Sequence, residues 1–148
     1  MKNIIIIFLI FLYGCGYSSI YKNNNSNDLS IKILQMKGDT KINQLIKNEL
    51  RAYQKKDLEK NFEININSEF GKIIISKDSS GYATNYQIFV KVKFEIVNNN
   101  KIENFNFEEK FNIKNITNTF EQRKYENTIM LNFAESIKDK LILKLLSL

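Results

Sequence analysis

Apolar and polar positions alternate most strictly between Tyr86 and Ile96, where Tyr86, Ile88, Val90, Val92, Phe94 and Ile96 occupy every second residue. A period of two marks a half-buried strand, because successive side chains of an extended chain point to opposite faces. Leu29, Ile31 and Ile33 alternate with Ser30 and Lys32 in the same way. Lys37-Gly38-Asp39-Thr40 then reads as a turn, with Asp39 or Thr40 placed to cap a helix. From Lys41 to about Lys56 the apolar residues Ile42, Leu45, Ile46, Leu50 and Tyr53 fall on one helical stripe.

Phe62, Ile64 and Ile66 predict a further strand, which Gly71 is expected to break before Ile73-Ile74-Ile75 resumes as a buried one. Ser79-Ser80-Gly81 reads as a loop, and Asn98-Asn99-Asn100-Lys101 as a hairpin turn, since asparagine tolerates positive φ. Phe105, Phe107, Phe111 and Ile113 are spaced for one face of a returning strand between Ile102 and Ile113. The last third is helical. Tyr125, Ile129, Phe133, Ile137, Leu141 and Leu145 recur every four residues, and no proline or glycine interrupts Phe120 to Leu148. The element order β-α-β-β-β-α predicts an α+β fold, a two-layer sandwich with two helices packed on one face of a roughly four-stranded mixed sheet. The core of that sandwich is expected to take Phe89.

The N-terminus changes the picture. Lys2 is followed by nine unbroken apolar residues from Ile4 to Leu12, a length that suits a secretory leader and falls well short of the ~20 residues of a spanning helix. Leu12-Tyr13-Gly14-Cys15 closes the run, and Cys15 is the only cysteine in the chain. The segment resembles a bacterial lipobox, although Tyr13 stands where such sites carry a small residue. The resemblance implies cleavage before Cys15 and a covalent diacylglyceryl and N-acyl lipid, palmitate included, on its sulfur and amino group. A single acyl chain binds a bilayer marginally, whereas two or more hold durably. The expected organisation is a leader over 1–14, a lipidated polar tether over 15–28, and one α+β domain over 29–148. Gly16 follows the cysteine where an aspartate would signal retention at the inner membrane, so the expected location is the periplasmic side of the outer membrane.

Net charge is +6, from 22 basic and 16 acidic residues, which favours anionic partners, though nucleic acid is excluded behind a secretion signal. Catalysis is not expected. With no histidine, the chain lacks the commonest general base, Ser79 and Ser80 have no imidazole to activate them, and no glycine-rich phosphate loop is present. Neither a metal nor any cofactor beyond the lipid is predicted.

Three stretches together resemble the LPS-assembly lipoprotein family of the LptE type. Cys15-Gly16-Tyr17 is similar to the Cys-Gly-aromatic start of those proteins. Gly71 to Asp78 followed by Ala83 to Ile88 is similar to their strand, loop and next strand, and Ala134-Glu135-Ser136 with Lys140 to Leu145 to their terminal helix. The resemblance implies a lipoprotein that plugs the LptD-type outer-membrane β-barrel, aids its assembly and contacts lipopolysaccharide on its way to the cell surface. Lys77, Arg123 and Lys124 are the candidate contacts for lipid A phosphates, to which arginine offers a two-pronged donor. The alternative is a periplasm-facing outer-membrane lipoprotein with another client, a lipoprotein carrier or a secretion pilotin. Cys15→Ser should leave the leader uncleaved or the protein soluble. Normal outer-membrane fractionation with retained palmitate labelling in that variant would refute the lipid anchor.

Overall fold

The computed structural model describes residues 29–54, 58, 60–98 and 101–148. The leader, Cys15 and the tether lie outside these residues. In chain order the elements are β1 (Leu29–Gly38), α1 (Thr40–Glu49) with a 3-10 turn over Leu50–Tyr53, β2 (Lys60–Lys77), β3 (Ala83–Asn98), β4 (Lys101–Lys114) and α2 (Thr119–Leu146). One four-stranded mixed sheet runs in the order β1-β2-β3-β4. β1 pairs parallel with β2, and the other two pairings are antiparallel. The fold is the predicted α+β two-layer sandwich with two helices on one side.

Register explains which residues are buried. Ile64, Ile96 and Glu103 share a row, and so do Ile66, Phe94 and Phe105. The helix-facing side of β2 and β3 therefore carries Phe62, Ile64, Ile66, Ile88, Val90, Val92, Phe94 and Ile96, all buried. Onto it α1 places Ile42, Ile46 and Leu50, and α2 places Ile129, Phe133, Ala134, Ile137, Leu141 and Leu145. α1 lies over β1 and β2, and α2 over β3 and β4. Each fully buried isoleucine or leucine contributes about 1.5–3 kcal/mol relative to exposure, so the shared face is the main source of stability. Phe94 and Phe107 meet with ring centroids 5.9 Å apart at 60°, a tilted geometry favourable to the ring quadrupoles.

The start of α1 is set by side-chain and backbone bonds together. Asp39 caps the helix, its Oδ1 accepting from Ile42 N–H at 2.8 Å, while its own N–H donates to Ser68 O at 3.1 Å. This brings the chain so close to β2 that a Cβ on Gly38 would stand 1.8 Å from Ser68 O, and Gly38 also has φ +90°. At α2, Asn118 Oδ1 accepts from Phe120 and Glu121 N–H, and Gln122 Oε1 reaches back to Ile116 N–H at 2.8 Å.

Five expectations are corrected. β2 is continuous through Gly71, because Gly71 stays paired with Phe89. Ile73, Ile74 and Ile75 are 48%, 51% and 45% exposed rather than buried: Ile73 is on the side of the sheet that carries no helix, and the helices leave Ile74 and Ile75 open. Phe89 lies on the uncovered face of the sheet, not in the core. Tyr125 is exposed, and the buried stripe of α2 begins at Gln122 and Ile129 instead. The first helix also tightens at Leu50 into its 3-10 turn, earlier than the stripe suggested.

Gly38→Ala should cost about 3 kcal/mol, since the left-handed backbone alone penalises alanine by ~1–2 kcal/mol and the Ser68 carbonyl must also move. Thermal melting checks this, with a fall of roughly 10 °C expected for a domain of this size. An unchanged midpoint would mean that the β1–α1 corner is not held as described.

Candidate functional site

β1 stops pairing at Gly38, opposite Ser68, but β2 continues for nine more residues to Lys77. At ~3.3 Å per residue, β2 and β3 therefore run about 30 Å beyond the end of β1. β4 accompanies them as far as Lys114, opposite Asn85. The hairpin closes over Asp78–Tyr82. Asp78 Oδ1 accepts from the N–H groups of Ser80 and Tyr82, both at 2.9 Å, and Asp78 N–H donates to Tyr82 O at 2.9 Å. Ser76, Thr84 and Asn85 join their side chains across the strands at 2.6 Å. The turn is thus internally satisfied.

Behind that turn is an apolar band. Ile73 shares a row with Gln87 on the uncovered face, Ile74 shares one with Tyr86 on the helix side, and Ile75 sits in the bulge between Ile74 and Ser76. Tyr82 and Phe120, at 73% and 74%, are the most exposed large apolar side chains among the described residues. Exposed apolar groups concentrated at one end are the kind of surface that marks interaction sites.

Lys72 links this end to the body. Its Nζ lies 2.5 Å from Glu126 Oε1 on α2 and 4.0 Å from the centre of the Tyr86 ring. Gln122 Nε2 donates to the same carboxylate oxygen at 2.6 Å. Burial acts to raise the Glu126 pKa, but the bonds from Lys72 and Gln122 and the field of Lys72 and Lys41 outweigh it, leaving the carboxyl below its usual 4.5. Sequence reasoning overlooked Lys72. Its signal was the even-numbered series Phe62, Ile64, Ile66, Ser68, Phe70, Lys72, which runs along the helix-facing side once Gly71 is kept in the strand.

Cys15 lies outside the described residues. Lys77 is exposed at the last pair of β2, opposite Ala83. Arg123 and Lys124 stand exposed in the first turns of α2, three and two residues before Glu126. Since Glu126 holds Lys72, and Lys77 lies five residues further along the strand, about 17 Å separates Lys77 from the level of that bridge. The three cations therefore form two places rather than one. Arg123 borders a cavity of about 320 Å³ with Asp39, Lys41, Phe70, Glu126, Asn127 and Met130, and has no ion-pair partner among the described residues. Lys41 Nζ is bonded to Asn127 Oδ1 across the same cavity.

The uncovered face is polar and largely self-paired. Lys32 meets Glu63 at 2.7 Å, Asn65 donates to Glu95 at 3.1 Å, and Gln87 to Asn112 at 3.0 Å. Phe89 lies across Gly71, where a Cβ would come within 2.2 Å of the ring, and Lys91 Nζ stands 5.2 Å from the ring centre. A cavity of about 780 Å³ follows the edge of β1 past Ile31, Ile33, Leu34 and Met36 to Lys47 and Gln54. Among the described residues no group of His, Cys, Asp and Glu is arranged to hold a metal, and no helix is long and apolar enough to cross a membrane.

No protein-family model matches the chain, and no curated protein matches it in sequence. Solved structures do match in fold. The chain is similar to rare lipoprotein B from Shewanella oneidensis, with TM-score 0.59 and 10% identity over 77% of this chain and 95% of that one. It is also similar to a lipoprotein B from Nitrosomonas europaea, with TM-score 0.52 and 12% identity over 86% and 88% of the two chains. A minor lipoprotein from Acinetobacter baumannii gives TM-score 0.51 and 13% identity over 76% and 91%. At these identities the likeness is one of fold.

Because the Glu126 pKa is depressed in the folded state, its contribution to stability is present above about pH 4.5 and is lost as pH falls through the lowered value. Glu126→Gln should lower the melting temperature at neutral pH, with the gap from the parent closing on acidification. A gap that stays constant down to pH 3, measured by thermal melts across pH, would show that the bridge to Lys72 adds nothing.

Proposed function

We propose that this chain is an outer-membrane lipoprotein, anchored through lipid on Cys15 on the periplasmic side. It partners and plugs an LptD-type β-barrel, aiding barrel assembly and the delivery of lipopolysaccharide to the surface. The observation that carries this reading is the hairpin running about 30 Å past β1, with exposed isoleucines on both faces, on a fold shared with bacterial lipoproteins. A barrel lumen would receive such an elongated end, and the self-paired polar sheet face would tolerate its water.

No enzymatic step is part of this proposal. Lipid A phosphates would be met at two separate places. Arg123 keeps its guanidinium free for paired hydrogen bonds, and Lys77 offers a point charge beside the turn.

Affinity purification of the tagged chain from detergent-solubilised outer membrane tests the partnership. A large β-barrel recovered in one-to-one ratio is expected, and a lone monomer would leave a lipoprotein with another client. The variant Lys77→Gln, Arg123→Gln, Lys124→Gln should bind lipopolysaccharide more weakly with an unchanged melting temperature. Unchanged binding would assign all three to the solvated surface.

A further inference from the structure

The geometry points to the hairpin end as a membrane-interface element that settles into the headgroup region of an anionic phospholipid bilayer without the help of a protein partner. The inference shares Lys77, Arg123 and Lys124 with the proposed lipopolysaccharide contacts and rests on that reading to this extent. Its ligand is different: a phospholipid surface, with neither barrel nor lipopolysaccharide present.

The distribution of apolar groups suits a medium that can meet either face. A partner docked on one side would cover one face only, whereas a bilayer interface, like a surrounding lumen, meets both. Here Ile73 points to one face, Ile74 to the other and Ile75 lies in a bulge between them, all close to half exposed. Tyr82, at the turn, has the apolar body and polar tip that suit a bilayer interface. Whichever side of the hairpin lies down, aliphatic carbon meets the boundary between headgroups and acyl chains.

The charges complement an anionic surface. Lys77 and Lys114 stand at the end of the ribbon, and Arg123 and Lys124 in the first turns of α2, none with an ion-pair partner among the described residues. Of the acids nearby, Glu126 is paired with Lys72, and Asp78, whose charge persists although its oxygen accepts from the N–H groups of its own turn, and Glu121 stand against these four cations. Basic residues beside an apolar insertion are drawn to anionic headgroups, each by about fivefold in partitioning. Asp78, Ser79 and Ser80 lie at the extreme tip, so the hairpin reclines along the interface at shallow depth instead of plunging tip-first.

Site-specific fluorescence tests this in the full chain. Ile74→Cys is labelled with an environment-sensitive dye and the protein is reconstituted in phosphatidylcholine vesicles with or without phosphatidylglycerol. Ile102→Cys, on a 62% exposed residue at the opposite end of the sheet, is the control. On the lipoprotein reading Cys15 is acylated and takes no dye, so one dye per chain is expected. Two dyes per chain would mark failure of that reading, and the measurement is then made in the Cys15→Ser background with vesicle flotation. The expected result is a blue shift at residue 74, with quenching by spin-labelled acyl chains, in anionic vesicles and not at residue 102. Lys77→Gln and Lys114→Gln should each lower the inserted fraction relative to the free one by about fivefold. The inference is overturned if residue 74 stays aqueous in both vesicle types, if both lysine variants insert like the parent, or if burial occurs only once a β-barrel is added. Barrel co-purification is a separate readout, so either proposal can fail alone.

Discussion

A strand advances about 3.3 Å per residue and a helix about 1.5 Å, and this difference decides what the helices of this protein can cover. β2 has 18 residues and extends ~59 Å, whereas α2 needs 28 residues to extend ~42 Å and α1, with 10, spans only ~15 Å. Helices packed on one face thus run out before the sheet does. The core fills the covered part, from Ile64 and Ile96 to Ile88 and Phe70, and the remainder of the β2–β3 ribbon is left with isoleucines on both faces. Exposure of Ile74 and Ile75 is the geometric remainder of a long hairpin on short helices, and both proposals rest on that remainder.

Lys72 marks the border. Inward of it the even-numbered side chains of β2 face the helices, and outward of it Ile73, Ile74 and Ile75 are exposed. Its ammonium lies against the Tyr86 ring and the Glu126 carboxylate, which also receives Gln122. Gln122 in turn accepts from Ile116 N–H, so the link between β4 and α2 is tied into the same cluster. The charges are partly shielded, at 30% and 20% side-chain exposure, which strengthens their attraction above that of a fully solvated pair. The cluster orients the start of α2 against the ribbon and so sets where Arg123 and Lys124 stand relative to the hairpin.

Much of the fold was legible because the alternation in β3, one of the two strands with neighbours on both sides, is strict. Element order and layer arrangement followed from it and from the four-residue recurrence in α2. What sequence reasoning misplaced shares one cause: burial depends on whether a helix lies above a position, which periodicity along one chain does not encode. Ile73-Ile74-Ile75 reads as core by composition and is exposed by position. Phe89 is the exception, an odd-numbered residue in a strand whose even-numbered residues are buried, so the alternation itself puts it on the opposite face from the core. It rests on Gly71, the glycine that was taken for a strand break and instead leaves room for the ring. Of the candidate site residues, Lys77 lies beside the Asp78–Tyr82 turn. Its separation from Arg123 and Lys124 was beyond reach, because it depends on how far β2 extends.

The same arithmetic bears on how an anchored domain would stand. The chain enters β1 at Leu29, level with Lys60, and β2 leads from there to Lys77, ~59 Å away. If Cys15 carries lipid, the thirteen residues from Gly16 to Asp28 span at most about 45 Å when fully extended. A domain seated in a barrel lumen would hold Leu29 towards the periplasmic rim and point its apolar hairpin across the membrane, away from the anchoring leaflet. For the hairpin end to lie on the same leaflet the domain must recline, because a domain standing on its tip would hold Leu29 beyond the reach of the tether. The two proposals thus correspond to two attitudes of one rigid shape. A partner that exchanges one for the other would have to offer the isoleucines as much apolar cover as the bilayer interface does.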